Sequence, residues 1–235
     1  MSSEISIAIE TSCRSGGLAL GRGDALVAAE AFEASGRHAT VLVSRLKALL
    51  ESHGLAPAQV QHAYVSAGPG SFTGLRVGIT VARTMAQAVP ALKCVAVPTA
   101  LAVAENLAGA SWEHLAVITD AQQGLIHATV LQRHGDQVML SGPAFVGTPA
   151  DFLAQAPRPL LLAGEGLLFA DLTGRGDELA PKETYLPTAA GVWAVGRRMA
   201  AAGEFVDYQH LLPIYSRKPT AEQVWQDKQG GQAVK

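Results

Sequence analysis

Cysteine is scarce in this 235-residue chain: Cys13 and Cys94 are its only two, and they form no CxxC pair. That excludes a disulfide framework and a cysteine-based metal knuckle, and two free thiols fit a reducing compartment. No apolar run reaches the ~18 residues that a membrane span needs, and the chain after Met1 enters a strand-like run with no basic or apolar leader. The expectation is a cytoplasmic protein with no membrane contact. Charge is thin as well: 18 Lys and Arg stand against 20 Asp and Glu, for a net charge of −2. Without a basic field the chain should not grip nucleic acid by itself, so any nucleic acid has to come through a partner. The seven histidines, His38, His53, His62, His114, His127, His134 and His210, show no HxH, HxxH or HxxxH spacing. They read as surface or capping residues rather than metal ligands. What is abundant is apolar side chain, 49% of the residues, enough at this length to core one large domain or two small ones.

In chain order, Ile5 to Glu10, Gly17 to Leu20 and Ala25 to Glu33 are short apolar runs with glycine turns between them, which predicts a β-meander. Leu42, Leu46, Leu49 and Leu50 then recur at helical spacing and Gly54 supplies a stop, predicting a helix from about His38 to His53. Tyr64 to Ser66 reads as a fourth strand and Cys94 to Val97 as a fifth. Thr99 to Ala108 reads as a helix capped near Thr99. The second half repeats the order, with strands over Leu115 to Asp120, Leu125 to Arg133 and Val138 to Val146. A helix started by Thr148, Pro149 and Asp151 follows, then a strand over Leu160 to Ala163. Thr188 caps a last long helix running to about Ala202, and Gly203 stops it. The polar tail from Gln226 to Lys235 is expected to fray.

The stretch that organises the chain is Gly68 to Gly78, GPGSFTGLRVG, a glycine-rich turn leading from a strand into a helix. It lacks the Lys-Ser/Thr ending of a Walker loop and the spacing of the dinucleotide fingerprint. Two readings remain: a purely structural strand-to-helix turn, or an anion contact in which Gly68, Gly70, Ser71 and Thr73 are the phosphate-loop candidates. In the helix that follows, Arg76, Thr80, Arg83, Thr84 and Gln87 fall on one polar stripe at about 100° per residue. Gly78, Ala82, Met85 and Val89 lie opposite, flanked by Leu75, Ile79 and Ala86 on one side and Val77, Val81 and Ala88 on the other. This apolar arc of roughly 200° is about twice what one sheet face covers. Something further is expected to cover it: a partner chain, or the last helix folding back. The contact surface expected from this comprises Arg76, Val77, Ile79, Thr80, Val81, Arg83 and Thr84 with His38 and Arg45 of the preceding helix.

Two halves of like element order point to the α/β duplicated fold of the actin, sugar-kinase and Hsp70 ATPases (the ASKHA fold, with ribonuclease H-like halves). The expected subdomains are 1–108 and 109–235, with the helix over 188–202 able to pack back on the first. Ile9-Glu10-Thr11-Ser12, GPGSFTGLRVGITVAR at Gly68 to Arg83, Asp120-Ala121 and LLPIYSRKPTAE at Leu211 to Glu222 together resemble the TsaB (YeaZ) family over nearly the whole chain. The resemblance implies a dimerisation subunit of the bacterial machinery that forms N6-threonylcarbamoyladenosine at position 37 of tRNAs reading A-starting codons. It implies a heterodimer with a catalytic, metal-carrying paralogue, TsaD (a former "glycoprotease", peptidase M22), and a homodimer when alone. The ATPase TsaE joins the larger complex, and tRNA is reached only through partners. Where the paralogue carries two histidines four residues apart, this chain has Thr99 and Val103, so the resemblance implies neither metal nor cofactor nor catalytic residue here. The alternative is a small-molecule kinase or ATPase of the same fold, using the glycine loop and Asp120 around Mg-ATP. A third reading, a protease, has neither a GxSxG elbow at Ser71 nor a sequence link between Cys13 and His38.

Overall fold

A computed structural model describes residues 4–33, 38–135, 137–172 and 176–214. The tail over 226–235 and the Tyr215 to Glu222 part of the terminal motif lie outside the described residues. In order, the elements are β1 (Ile5–Glu10), β2 (Ser15–Arg22), β3 (Ala25–Glu33), α1 (His38–Ser52), β4 (Val60–Gly68), α2 (Phe72–Ala88), β5 (Lys93–Pro98) and α3 (Thr99–Glu105). They continue with β6 (His114–Asp120), β7 (Ile126–His134), β8 (Gln137–Leu140), β9 (Phe145–Gly147), α4 (Pro149–Gln155), β10 (Leu160–Ala163), β11 (Glu178–Leu179) and α5 (Ala189–Ala201).

The first sheet has the order β3-β2-β1-β4-β5, and the second has β8-β7-β6-β10-β11. In both, the central strand is antiparallel to the meander strand beside it and parallel to the strand after the first helix. Equal order and equal sense in two sheets of one chain is the duplicated, actin-like α/β architecture expected from the sequence.

Strand β1 is buried along its whole length and divides its side chains between the two faces of the first sheet. Ile5, Ile7 and Ile9 join Leu42, Leu46, Ile79, Ala82 and Leu211 under α1 and α2. On the opposite face Ala8 joins Tyr64, Val95, Val192 and Trp193 under α5. The last helix therefore does fold back on the first sheet, but on the face away from α2. Its N-cap is Thr188, as expected, whose hydroxyl accepts from the Gly191 N–H at 3.0 Å. Its Trp193 indole donates to the Ser6 hydroxyl at 2.9 Å, inside the core. In the second sheet Leu115, Val117 and Leu131 face α3, and Ala116, Ile118 and Ala128 face α4.

Several expectations are corrected. The third strand of the second meander breaks into β8 and β9, which both pair with β7. Between them Gly142 has φ +83° and Pro143 has no N–H to give to the ladder, so the chain leaves it and returns at Phe145. Two-residue β11 is too short to carry a sequence pattern. The N-cap position of α3 is Pro98 rather than Thr99, and the helix stops at Glu105. β4 is longer at both ends than Tyr64 to Ser66.

Two connections cross between the halves, and side chains hold both. Asn106 Nδ2 donates to the carbonyls of Thr184 (3.1 Å) and Leu186 (2.7 Å). Arg133 donates to the carbonyls of Ala110 (2.6 Å) and Leu107 (3.1 Å) while its guanidinium lies 4.0 Å from the Trp112 ring centre. Arg198 of α5 pairs with Glu105 of α3.

Two outcomes follow from this packing. A methyl group at Gly21 would run into the Trp193 indole ring, which is pinned by Ser6. Gly21→Ala should cost about 1–3 kcal/mol through overpacking, read as a lower midpoint of urea unfolding. On β7, His127 is buried on the α3-facing side, and desolvation pushes its pKa down to about 4, so the folded state holds it neutral. The unfolded chain protonates it near pH 6.5. Stability from this group is thus full above about pH 6.5 and lost as the pH falls towards 4, by about 3 kcal/mol in all. Urea unfolding of wild type and His127→Gln between these pH values should show the wild type losing that much more than the variant.

Candidate functional site

The glycine loop is pressed against the turn that follows β1. The Ser71 N–H donates to the Ser12 carbonyl at 2.6 Å, and the Ser71 hydroxyl caps α2 by accepting from the Gly74 N–H at 3.2 Å. A Cβ on Gly70 would strike the Ser12 carbonyl, one on Gly74 the Thr11 carbonyl, and one on Gly78 the Thr11 hydroxyl. Only glycine lets the two backbones come this close. At Gly68 the obstacle would be the Ile214 carbonyl, because Ile214 is held by its N–H to the Ala67 carbonyl. Of the phosphate-loop candidates, Gly70, Ser71 and Thr73 are exposed, and Thr73 is the one given no such packing role. These contacts favour the structural reading of the loop.

Glu10 lies beneath this joint, 1% exposed. Its carboxylate accepts from the Ser12 hydroxyl at 2.6 Å, from the Ser12 N–H, and from the Ser66 hydroxyl. Burial pushes its pKa up, and the three hydrogen bonds pull the other way. Asp120 occupies the matching turn of the second half, yet it is exposed and caps that turn by accepting from the Gln122 N–H at 2.7 Å. Each carboxylate thus serves its own turn. Burial and nearby Glu10 push the Cys13 thiol up to about 12, away from the thiolate that a nucleophile uses, and Sγ donates to the Ser15 carbonyl at 3.2 Å.

An open cleft of about 480 Å³ lies beside the Asp120 turn, lined among others by Gln122, Gln123, Pro149, Gly166 and Phe169. Gln122 and Gln123 have φ of +64° and +56°, a left-handed backbone that non-glycine residues adopt at a cost. Arg14 reaches across from the first half, 3.9 Å from Glu165 and 5.6 Å from the ring centre of Phe169. Thr99 and Val103 are buried at the start of α3, Val103 among Leu115, Val117 and Leu131. Among the described residues no three of His, Cys, Asp and Glu converge on a metal-sized site.

The outward face of α1 and α2 is the other candidate. Arg76, Thr80 and Thr84 are exposed along α2, and Arg83 is half-buried. The Arg76 guanidinium lies 3.7 Å from the Phe72 ring centre. The three expected apolar contact residues stand elsewhere: Ile79 is 3% exposed, inside the core, and Val77 and Val81 are half-buried against that same core. The apolar arc is filled within the chain. The sheet covers its middle, α1 one flank, and residues 206–211 the other, with Val206, Tyr208 and Leu211 packed into the cluster. His38 opens α1, and Arg45 lies 3.8 Å from Glu30 and 5.6 Å from the Phe32 ring centre. Val43 (56% exposed) and Phe72 (40%) are apolar surface residues missing from the expected contact set. Val43 betrays itself in the sequence by standing off the Leu42, Leu46, Leu49 stripe.

The family model described as "TsaD: tRNA N6-adenosine threonylcarbamoyltransferase" matches residues 32–170, more than half of the chain. The chain is 27% identical to the tRNA threonylcarbamoyladenosine biosynthesis protein TsaB of Bacillus subtilis (strain 168), covering 95% of this chain and 98% of that protein. An uncharacterised protein of Mycobacterium leprae is 29% identical over 82% of this chain, which spans 48% of that protein's length. Two solved structures from Pseudomonas aeruginosa share the fold at 24% identity. One, described as similar to peptidase YeaZ, has a TM-score of 0.81 over 91% of this chain and 100% of its own. The other, YeaZ itself, has a TM-score of 0.77 over 90% of this chain and 99% of its own. The matching glycine-loop region and the relatives that run nearly the full length agree, and the chain belongs to the TsaD family of tRNA N6-adenosine threonylcarbamoyltransferase proteins, in its TsaB (YeaZ) branch.

Proposed function

We propose that this chain is a non-catalytic subunit in the formation of N6-threonylcarbamoyladenosine at position 37 of tRNAs reading A-starting codons. It binds a catalytic TsaD-type paralogue and holds it in a productive state. The observation that carries the reading is the contrast between the two candidate sites. At the fold's catalytic positions the side chains are used internally: Glu10 is enclosed by Ser12 and Ser66, and the glycine loop packs on Thr11 and Ser12. On α1 and α2, by contrast, Val43 and Phe72 keep apolar surface exposed, and Thr80 and Thr84 are small exposed side chains of α2. Helices with small outward residues allow a partner's helices to approach closely, and scattered apolar side chains give that contact its desolvated centre.

The related half-fold of the paralogue would present a helix pair of its own, giving a pseudo-twofold packing. A homodimer of the isolated chain would use the same face and compete with the heterodimer. TsaE joins the larger complex, and tRNA is reached through partners rather than through this chain, whose net charge is −2.

Size-exclusion chromatography and calorimetry of the pure chain with the purified paralogue test this reading. Val43→Glu combined with Thr80→Glu places charge at two exposed positions, so circular dichroism and a cooperative melt should match wild type. Affinity for the paralogue should fall by about 2 kcal/mol, roughly 30-fold. Undiminished binding by the double variant would place the interface elsewhere. ATP turnover by the pure chain above background would favour the kinase reading instead.

A further inference from the structure

We infer that an ordered water is built into the joint between the two halves, held at its cleft end by Thr99, His127 and Thr129. The inference stands independently of the partner reading. All three side chains are buried, at 3%, 3% and 6% exposure, and among the described residues no donor or acceptor reaches Thr99 Oγ1, His127 Nδ1 or Thr129 Oγ1. A buried polar atom without a hydrogen bond has lost its hydration and gained nothing in exchange, so groups of this kind are met by protein or by water.

The fold brings the three to one place. In the β6–β7 ladder His127 stands opposite Thr119, and Thr129 opposite Val117. Opposed residues, and residues two apart on a strand, share a face. On this face Val117 and Leu131 pack with Ala100 and Val103 of α3. Thr99 precedes Val103 by one helical turn, and side chains four apart on a helix lie one above the other, so Thr99 faces the same sheet. Height along the joint follows from its far end, where Arg133 donates to the Leu107 carbonyl. From Leu107 back to Thr99 the mostly helical chain rises about 12 Å. From Arg133 back to Thr129 the strand covers about 13 Å, and His127 lies one pleat further on, next to Ile126 of the cleft wall. Thr99 therefore comes level with Thr129, with His127 on the cleft side of both.

The two ends of the joint differ in kind. At the Arg133 end every polar group named has a protein partner: the guanidinium bonds Leu107 and Ala110, and the Trp112 indole donates to the Leu107 carbonyl at 3.2 Å. At the Thr99 end the groups match a water instead. A buried water makes about three hydrogen bonds. Each threonine hydroxyl can give or take one, and a neutral imidazole offers Nδ1 in either role according to its tautomer. A bridging water also lets the two surfaces shift against each other while all three groups stay paired.

The test uses the full chain. A crystal structure of wild type should show an ordered water within about 3.5 Å of all three atoms. Thr99→Val and Thr129→Val each exchange the hydroxyl for a methyl group of similar shape. Either change should lower the midpoint of urea unfolding by about 0.5 M, and the double variant should lose less than the sum, because both hydroxyls serve one water. Dry, unpaired hydroxyls give the reverse: no water at the site, and a midpoint raised by either substitution, since an unsatisfied group has been removed. That result overturns the inference, and so do losses that add in full. The wild-type structure decides the matter even if a variant fails to fold.

Discussion

The structure hangs on a contact that is possible only because side chains are missing from it. Gly70, Gly74 and Gly78 bring the first turns of α2 onto Thr11 and Ser12, so the strand-end turn of β1 and the start of α2 become one packed unit. That unit buries Glu10, whose carboxylate must then be satisfied from within, by Ser12 from its own turn and by Ser66 from β4. Through Ser66 the joint ties the two central parallel strands of the first sheet, and through Gly68 it ties the returning C-terminal segment. The loop's glycines are spent here on the approach to the neighbouring backbone.

The parts of the fold legible in the sequence are those decided locally. Ser71, Thr148 and Thr188 cap their helices because a hydroxyl next to a helix start has its acceptor role set within three residues. The repeated order of elements was enough to give the duplicated architecture. What could not be read depends on distant chain. The arc of α2 reads as uncovered because residues 206–211 have no helical or strand period to announce that they fill its flank. Ile79, expected on the contact surface, stands in the core, and Val77 and Val81 are half-buried against it. Of the candidate site, the stripe of Arg76, Thr80 and Thr84 was legible from periodicity. Phe72, four residues before Arg76, is in register with that stripe, but an apolar residue at the helix start does not extend a polar stripe.

The two turns that the fold makes equivalent have diverged in opposite ways. The Glu10 turn is closed, with its carboxylate enclosed and its backbone packed. The Asp120 turn is open, bordering a cleft, and holds Gln122 and Gln123 in a conformation that glycine would adopt more easily. Duplication supplied the same frame twice, and the side chains decide separately what each copy does.

Residues near the end of the chain complete the core near its beginning. Leu211 is fully buried among Ile7, Ile9 and Ile79, Val206 bridges to Cys94, and α5 closes the other face of the first sheet. The second sheet, in contrast, has all its strands once Leu179 has been made. A ribosome building this protein therefore releases the first half unfinished and the second half complete. The half synthesised first is the last able to close: one face of its sheet waits for α5, and the flank of α2 on the other face waits for Leu211.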